Sequence, residues 1–244
     1  MDAKTAVNNG KNQRVALITG ASSGIGAAVA VALAKTGVQV VLTGRNQAGL
    51  EAVDDTIRQL GLGYSASLVP LDLRHGDDID RMVTAIFERF RRLDILIGNA
   101  GCLGGSLYPV GHIPQERVSE IMAVNFAANW RLIRIAEPLL RASPAGRAVF
   151  TTCTEANGFH AYYGVYAASK AALEAMVRSL AAESQKSNLR VNMVDPGSVA
   201  TPLRRLAFPG EDQSNLVQPA QIAPIYLDLV AQSCKQHGQI IRFA

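Results

Sequence analysis

Arg14-Val-Ala-Leu-Ile-Thr-Gly-Ala-Ser-Ser-Gly-Ile-Gly26 starts as an apolar strand pattern, breaks into glycines and serines, and continues at once into a helical pattern. Gly20 can take a sharp turn, Gly24 lets the backbone approach a pyrophosphate, and Gly26 lets the helix pack on the strand. The helix N-terminus then presents unpaired N–H groups and the positive end of its dipole to an anion. A glycine-rich turn alone is common; its position between a strand and a helix is what the phosphate-binding mechanism requires. Gly20, Ser22, Ser23, Gly24, Ile25 and Gly26 are therefore the first cofactor-binding candidates.

Outward from this unit the same alternation repeats. Strands are expected at 14–18, 38–42, 67–71, 93–97, 148–152, 189–194 and 239–243. Helices are expected at 26–35, 47–60, 77–90, 115–141 and 166–186. Strands that alternate with helices predict an α/β fold whose parallel sheet is covered on both faces. Residues 198–218 mix proline, glycine and charge without a period and are expected to form a mobile substrate-side segment. The 244 residues correspond to roughly 1.6 domains by length. With no linker, repeat or low-complexity tract, the reading is a flexible segment at 1–13 and one domain over 14–244.

Composition excludes several classes. The chain is 48% hydrophobic and 18% charged, which rules out intrinsic disorder. Three cysteines cannot make a fully paired disulfide scaffold, and with no signal-peptide pattern at the N-terminus the expected location is the cytoplasm. No charge falls between Arg14 and Lys35, but Thr19-Gly20-Ala21-Ser22-Ser23-Gly24 would place turn polar groups in lipid, so a membrane span is rejected. The net charge of +4 is spread along the chain, and nucleic acid is not an expected partner. No metal site is expected.

A site for NAD usually has an acid about 20 residues beyond the glycines, on the ribose 2′-hydroxyl. Here that region reads Gly44-Arg45-Asn46. A guanidinium at Arg45 suits a 2′-phosphate, so NADP(H) is preferred and NAD(H) is the alternative.

The motifs Thr19-Gly20-x-x-x-Gly24-x-Gly26, Asn99-Ala100-Gly101, Tyr166-x-x-x-Lys170 and Pro196-Gly197, in this order and spacing, resemble the short-chain dehydrogenase/reductases. The stretches 166–173 and 207–212 resemble a bacterial subgroup of NADP-type oxidoreductases. The resemblance, which runs from about Arg14 to Phe243, implies one doubly wound Rossmann domain with seven parallel strands in the order 3-2-1-4-5-6-7. It implies that Asp72 and Leu73 meet the adenine, that Asn99, Ala100 and Gly101 line the cofactor, and that Pro196, Gly197, Val199 and Thr201 hold the carboxamide. It further implies dimers or tetramers built through the helices at 115–141 and 166–186, the second of which is rich in alanine.

Tyr166 and Lys170 are one helical turn apart and share a face. A phenol near pKa 10 is a poor acid–base group at neutral pH, and a nearby ammonium, together with the oxidised nicotinamide, is expected to lower it. By the resemblance, Tyr166 protonates a carbonyl oxygen, Lys170 assists it and binds the nicotinamide ribose, and Asn125 supports a relay water. The family's catalytic serine lies thirteen residues before the tyrosine, where this chain has Cys153. A thiol is a weak donor, so three outcomes stand open: Cys153 orients substrate, Thr154 substitutes, or activity is reduced. A covalent role for Cys153 has only His160 as a candidate base.

The function expected is hydride transfer between NADP(H) and a carbonyl or alcohol, of carbonyl reductase, alcohol dehydrogenase or 3-oxoacyl reductase type. The alternative is a catalytically weak dinucleotide-binding protein. Leu103, Leu107, Phe159, Tyr163, Leu203 and Phe208 are expected to wall an apolar substrate pocket. Arg204 and Arg205 are candidates to meet an acidic substrate.

Overall fold

Short runs of β-branched and aliphatic residues alternate with stretches of helical period, and in the computed structural model, which describes residues 13–243, they become one sheet with helices on both faces. The strands are β1 Val15–Thr19, β2 Gln39–Gly44, β3 Ser67–Pro70, β4 Ile95–Gly98, β5 Arg147–Thr151, β6 Arg190–Asp195 and β7 Ile240–Arg242. The helices are α1 Gly24–Lys35, α2 Gln47–Gln59, α3 Gly76–Phe90, α4 Gln115–Met122, α5 Ala128–Ala142, α6 Gly164–Ser184, α7 Pro202–Ala207 and α8 Pro219–Val230. The strand order is β3-β2-β1-β4-β5-β6-β7, and every pairing is parallel. This is the order the family resemblance implied.

Period-two alternation sorts β1 between two cores. Ala16 and Ile18 face a cluster with Val29, Leu33, Leu50, Ile222 and Tyr226, built from α1, α2 and α8. Val15 and Leu17 face the opposite cluster, with Ile79, Val83, Leu132 and Leu173 from α3, α5 and α6 and Phe150 from β5. Each such aliphatic or aromatic side chain contributes about 1.5–3 kcal/mol when fully buried. Ile18 pairs with Leu42 on one side and Ile97 on the other, so β1 is where the strand order reverses. Such reversals open a crevice at the carboxyl ends of the strands.

The opposite end of the sheet is closed by charge. Buried Asp94 accepts from the Val15 amide (2.9 Å), the Ser143 hydroxyl (2.6 Å) and the Arg92 guanidinium (2.7 Å). Buried Arg147 donates to the carbonyls of Gly146, Asn188, Ala231, Gln232 and Cys234, tying the segment after α8 beneath the sheet.

The structure departs from the sequence reading in several places. Helix α8 was not expected: Pro219 opens it, Pro224 lies inside it, and its inward residues, from Ile222 to Val230, make it too apolar for an amphipathic period. The helix at 115–141 is broken into α4 and α5 by a π-turn, Ala123–Ala127. Residues 198–218 are not without secondary structure. They contain α7, capped where Thr201 accepts from the Arg204 amide (3.1 Å), and a bridge between Val199 and Val217. Residues 1–12 of the expected N-terminal segment lie outside the described residues, while Gln13 donates to the Gly37 carbonyl (2.9 Å). Among the described residues no helix is long and apolar enough to cross a membrane, and no group of side chains could hold a metal ion.

Candidate active site

A cavity of about 580 Å³ opens at the carboxyl ends of the strands. The glycine turn forms its floor, with Gly20 at φ +66° and Gly24 at φ +56°, conformations that favour glycine. A Cβ on Gly20 would lie 2.9 Å from the Ala100 Cα, and one on Gly26 would collide with the Gly20 carbonyl oxygen. Ser23, the residue before α1, makes no side-chain cap, and the first turn of α1 holds no acid. The N–H groups of that turn are therefore left to an anion, and the floor has the shape and polarity of a pyrophosphate cradle.

Ser22, Ser23, Gly24 and Ile25 line the cavity together with Gly20. Gly26 does not: it lies beneath, where the lack of a side chain lets α1 cross the turn. Arg45 follows β2, with its side chain 60% exposed and only a loose 3.9 Å pair to Glu120, so its guanidinium is free to turn to a ligand. Asp72 and Leu73 line the wall after β3. The Arg74 guanidinium grips Asp72 (2.6 and 2.9 Å) and lowers its carboxyl to about 2. Asn99 lines the centre, and its side chain donates to the Thr19 carbonyl (3.2 Å) and accepts from the Thr151 hydroxyl (3.2 Å), bridging β1, β4 and β5. Ala100, Gly101, Pro196, Gly197, Val199 and Thr201 complete this wall.

Cys153, Tyr166 and Lys170 meet at the far end. The Cys153 thiol, the Tyr166 phenol and the Glu155 carboxylate share this end of the cavity. Burial pushes the Cys153 thiol up to about 12, so it stays protonated, and His160 lies outside the cavity. The covalent role therefore has no support. Lys170 is buried, donates to the Thr151 carbonyl (2.8 Å), and stands 5.9 Å from the Tyr166 ring centre. Burial, with Cys153, Glu155 and Tyr163 nearby, raises the Tyr166 phenol well above its ordinary value, so a lowering by Lys170 together with the oxidised nicotinamide does not follow from the protein's own groups alone. Burial also lowers Lys170.

Asn125 does not line the cavity; its side chain accepts from the Cys102 amide (2.8 Å) and donates to the Cys102 carbonyl (3.1 Å) and the Ser169 hydroxyl (2.9 Å). From the π-turn it holds the loop after Gly101. Thr154 does not replace the serine, since its hydroxyl donates to Asp195 (2.7 Å). The Thr151 hydroxyl is held between Asn99 (3.2 Å) and Tyr226 (2.6 Å), and that of Thr152 donates to Glu174 (2.7 Å). Of the expected apolar wall, Leu103, Tyr163 and Leu203 face the cavity, whereas Leu107, Phe159 and Phe208 do not. Arg204 is not available to an acidic substrate: it is paired through two nitrogens with Glu211 (2.6 Å each) and stacks over Phe208. The sequence reading missed Glu155 and Glu120 on the cavity wall; an acid two residues beyond Cys153 was the available signal for the first.

The comparisons agree with this geometry. The family model of the short chain dehydrogenases matches residues 14–212. The uncharacterised oxidoreductase YciK of Escherichia coli K12 is 37% identical over 227 residues, covering 92% of this chain and 89% of that protein. A structure from Escherichia coli CFT073, assigned to the short chain dehydrogenases and complexed with NADPH, superposes with a TM-score of 0.88 at 37% identity, over 95% and 96% of the two chains. One from Shigella flexneri, complexed with NADP, gives 0.89 at 36% identity over 95% and 97%. With its glycine cradle, its Tyr166/Lys170 pair and these relatives, the chain belongs to the short-chain dehydrogenase family.

Proposed function

We propose that the protein is an NADP(H)-dependent oxidoreductase that interconverts a carbonyl compound and its alcohol, with Tyr166 as the acid and base. The observation that carries this reading is the convergence of Cys153, Tyr166 and Lys170 on the end of a cavity whose floor is an anion cradle. The free guanidinium of Arg45 and the lack of an acid at 44–46 favour a 2′-phosphate, as do the NADPH- and NADP-bound neighbours. The nicotinamide, when bound, supplies or accepts the hydride. Tyr166 keeps its proton at neutral pH and gives it to the carbonyl oxygen. Lys170 has donors beyond the one used on Thr151, and these suit a ribose hydroxyl. Cys153 positions the carbonyl as a weak donor beside the phenol. Gly197, with an open space where a Cβ would be, and Thr201 suit the carboxamide end.

The test is NADPH oxidation by purified protein across ketones, aldehydes and 3-oxoacyl thioesters. Replacing Tyr166 with Phe is expected to cost about 10²- to 10⁴-fold in kcat, the usual worth of a positioned acid. Arg45→Ala should weaken NADPH by about 10- to 100-fold while leaving NADH unchanged, as loss of a charge-assisted bond predicts. A Tyr166→Phe enzyme with full activity would sink the assignment. Assembly into dimers or tetramers through α4, α5 and α6 belongs to the same reading, and Trp130, half exposed on α5, fits it. A monomer at micromolar concentration in sedimentation velocity overturns that part.

A further inference from the structure

The substrate end of the cavity has an excess of acceptors. After β5 the chain makes one 3-10 turn, Thr154–Asn157, which is held at both ends. The Thr154 hydroxyl donates to buried Asp195 (2.7 Å), and the Asn157 amide donates to buried Glu174 (2.8 Å). Glu174 is itself fixed by Thr152 (2.7 Å) and by Arg178 (2.9 Å). Between these anchors Glu155 lines the cavity beside Cys153, Tyr163 and Tyr166. A carboxylate has about four acceptor sites, and a neighbouring thiol can use at most one of them, weakly, leaving most open.

Among the described residues, none of the cations that line the cavity forms an ion pair with Glu155. Arg45 and Arg117 stand with Glu120 at 3.9 and 3.1 Å, and Lys170 donates to the Thr151 carbonyl. Arg204 is bound through two nitrogens to Glu211 and stacked 4.0 Å from the Phe208 ring centre. A bound molecule therefore meets Glu155 as an unpaired acceptor beside Cys153 and Tyr166.

We propose that Glu155 determines specificity, selecting carbonyl substrates with a hydroxyl or ammonium donor beside the reacting carbon and rejecting those with a carboxylate there. This rests on the oxidoreductase reading and narrows its substrate class. A donor in that position gains a charge-assisted bond, whereas a carboxylate meets like charge in a partly desolvated wall.

The experiment uses butanone, hydroxyacetone, aminoacetone and acetoacetate, which share one skeleton and differ at the group beside the carbonyl. Each is titrated calorimetrically into protein saturated with NADP⁺, so that no reduction occurs. Hydroxyacetone and aminoacetone should bind about ten- to a hundredfold tighter than butanone, with acetoacetate weakest. In Glu155→Gln the preference for ammonium should collapse and acetoacetate should recover, with NADP⁺ affinity as the check on folding. The same order in both chains, or acetoacetate bound best by the unaltered chain, overturns the proposal. NADPH oxidation is measured separately. If the binding order holds and none of the four is reduced, hydride transfer to this class fails while recognition by Glu155 stands.

Discussion

The two ends of the cavity are built from different materials. The floor is main chain: the turn at Gly20 and Gly24, the uncapped start of α1, and the strand ends before Ala100 and Gly197. The far end is side chain: Cys153, Glu155, Tyr163, Tyr166 and Arg204 line it. Backbone donors are identical in every residue, so the floor can only recognise something common to many molecules, such as a phosphate. Side chains differ, so the far end can choose among substrates. One end fixes what the protein uses in every turnover, and the other fixes what it acts on.

That division can be broken at three points. The largest effect is expected from Gly26→Ala, whose Cβ collides with the Gly20 carbonyl and lies 2.7 Å from the Asn99 amide. It should destabilise the fold by about 1–3 kcal/mol, as overpacking does, and weaken NADPH together with every substrate. Thermal melting and fluorescence titration read both, and an unchanged melting temperature would detach the floor from the packing of α1.

The second point is pH. Burial raises the Tyr166 phenol, so its protonated form persists through neutral pH and ketone reduction should be flat there. Alcohol oxidation needs the phenolate and should climb about tenfold per unit on the acid side of that raised value. Initial rates in both directions, measured from pH 6 to 9, decide this; an oxidation rate that is flat over the range removes Tyr166 as the base. The smallest effect belongs to Cys153→Ser, where a better donor should raise kcat/KM about two- to tenfold, the worth of one neutral hydrogen bond. A serine variant slower than the parent would mean that Cys153 does not act as a donor to the substrate.

The strand–helix alternation and the floor were legible because they follow from local signals, whereas the strand order came only through the family resemblance. Glycine at positive φ, strand ends and the interval from Gly26 to Arg45 are all read within about 20 residues. The far end was legible only in part. Counting back from Tyr166 reached Cys153, but the fate of Thr154 depended on Asp195, 41 residues away, and that of Arg204 on Glu211 across the end of α7. Helix α8 escaped because a helix buried on most sides loses the period that marks an amphipathic one. Its Tyr226 then reaches the Thr151 hydroxyl, a bond between residues 75 apart that no local pattern announces. Sequence spacing brings the Lys170 ammonium near Tyr166, but only the fold decides which atom it serves, here the Thr151 carbonyl.

Asp195 has a consequence for how such a site can change over time. At the end of β6 it accepts from the Thr154 hydroxyl and the Gly197 amide (3.2 Å) and pairs with Arg242 on β7 (3.6 Å). The segments that begin at residues 155 and 198 thus both leave from one carboxylate, which none of the substrate-facing residues helps to hold. Their downstream portions can be exchanged wholesale for those of a relative while the launching points stay put. A protein so arranged can acquire new substrates by replacing loops, with its cofactor chemistry inherited intact.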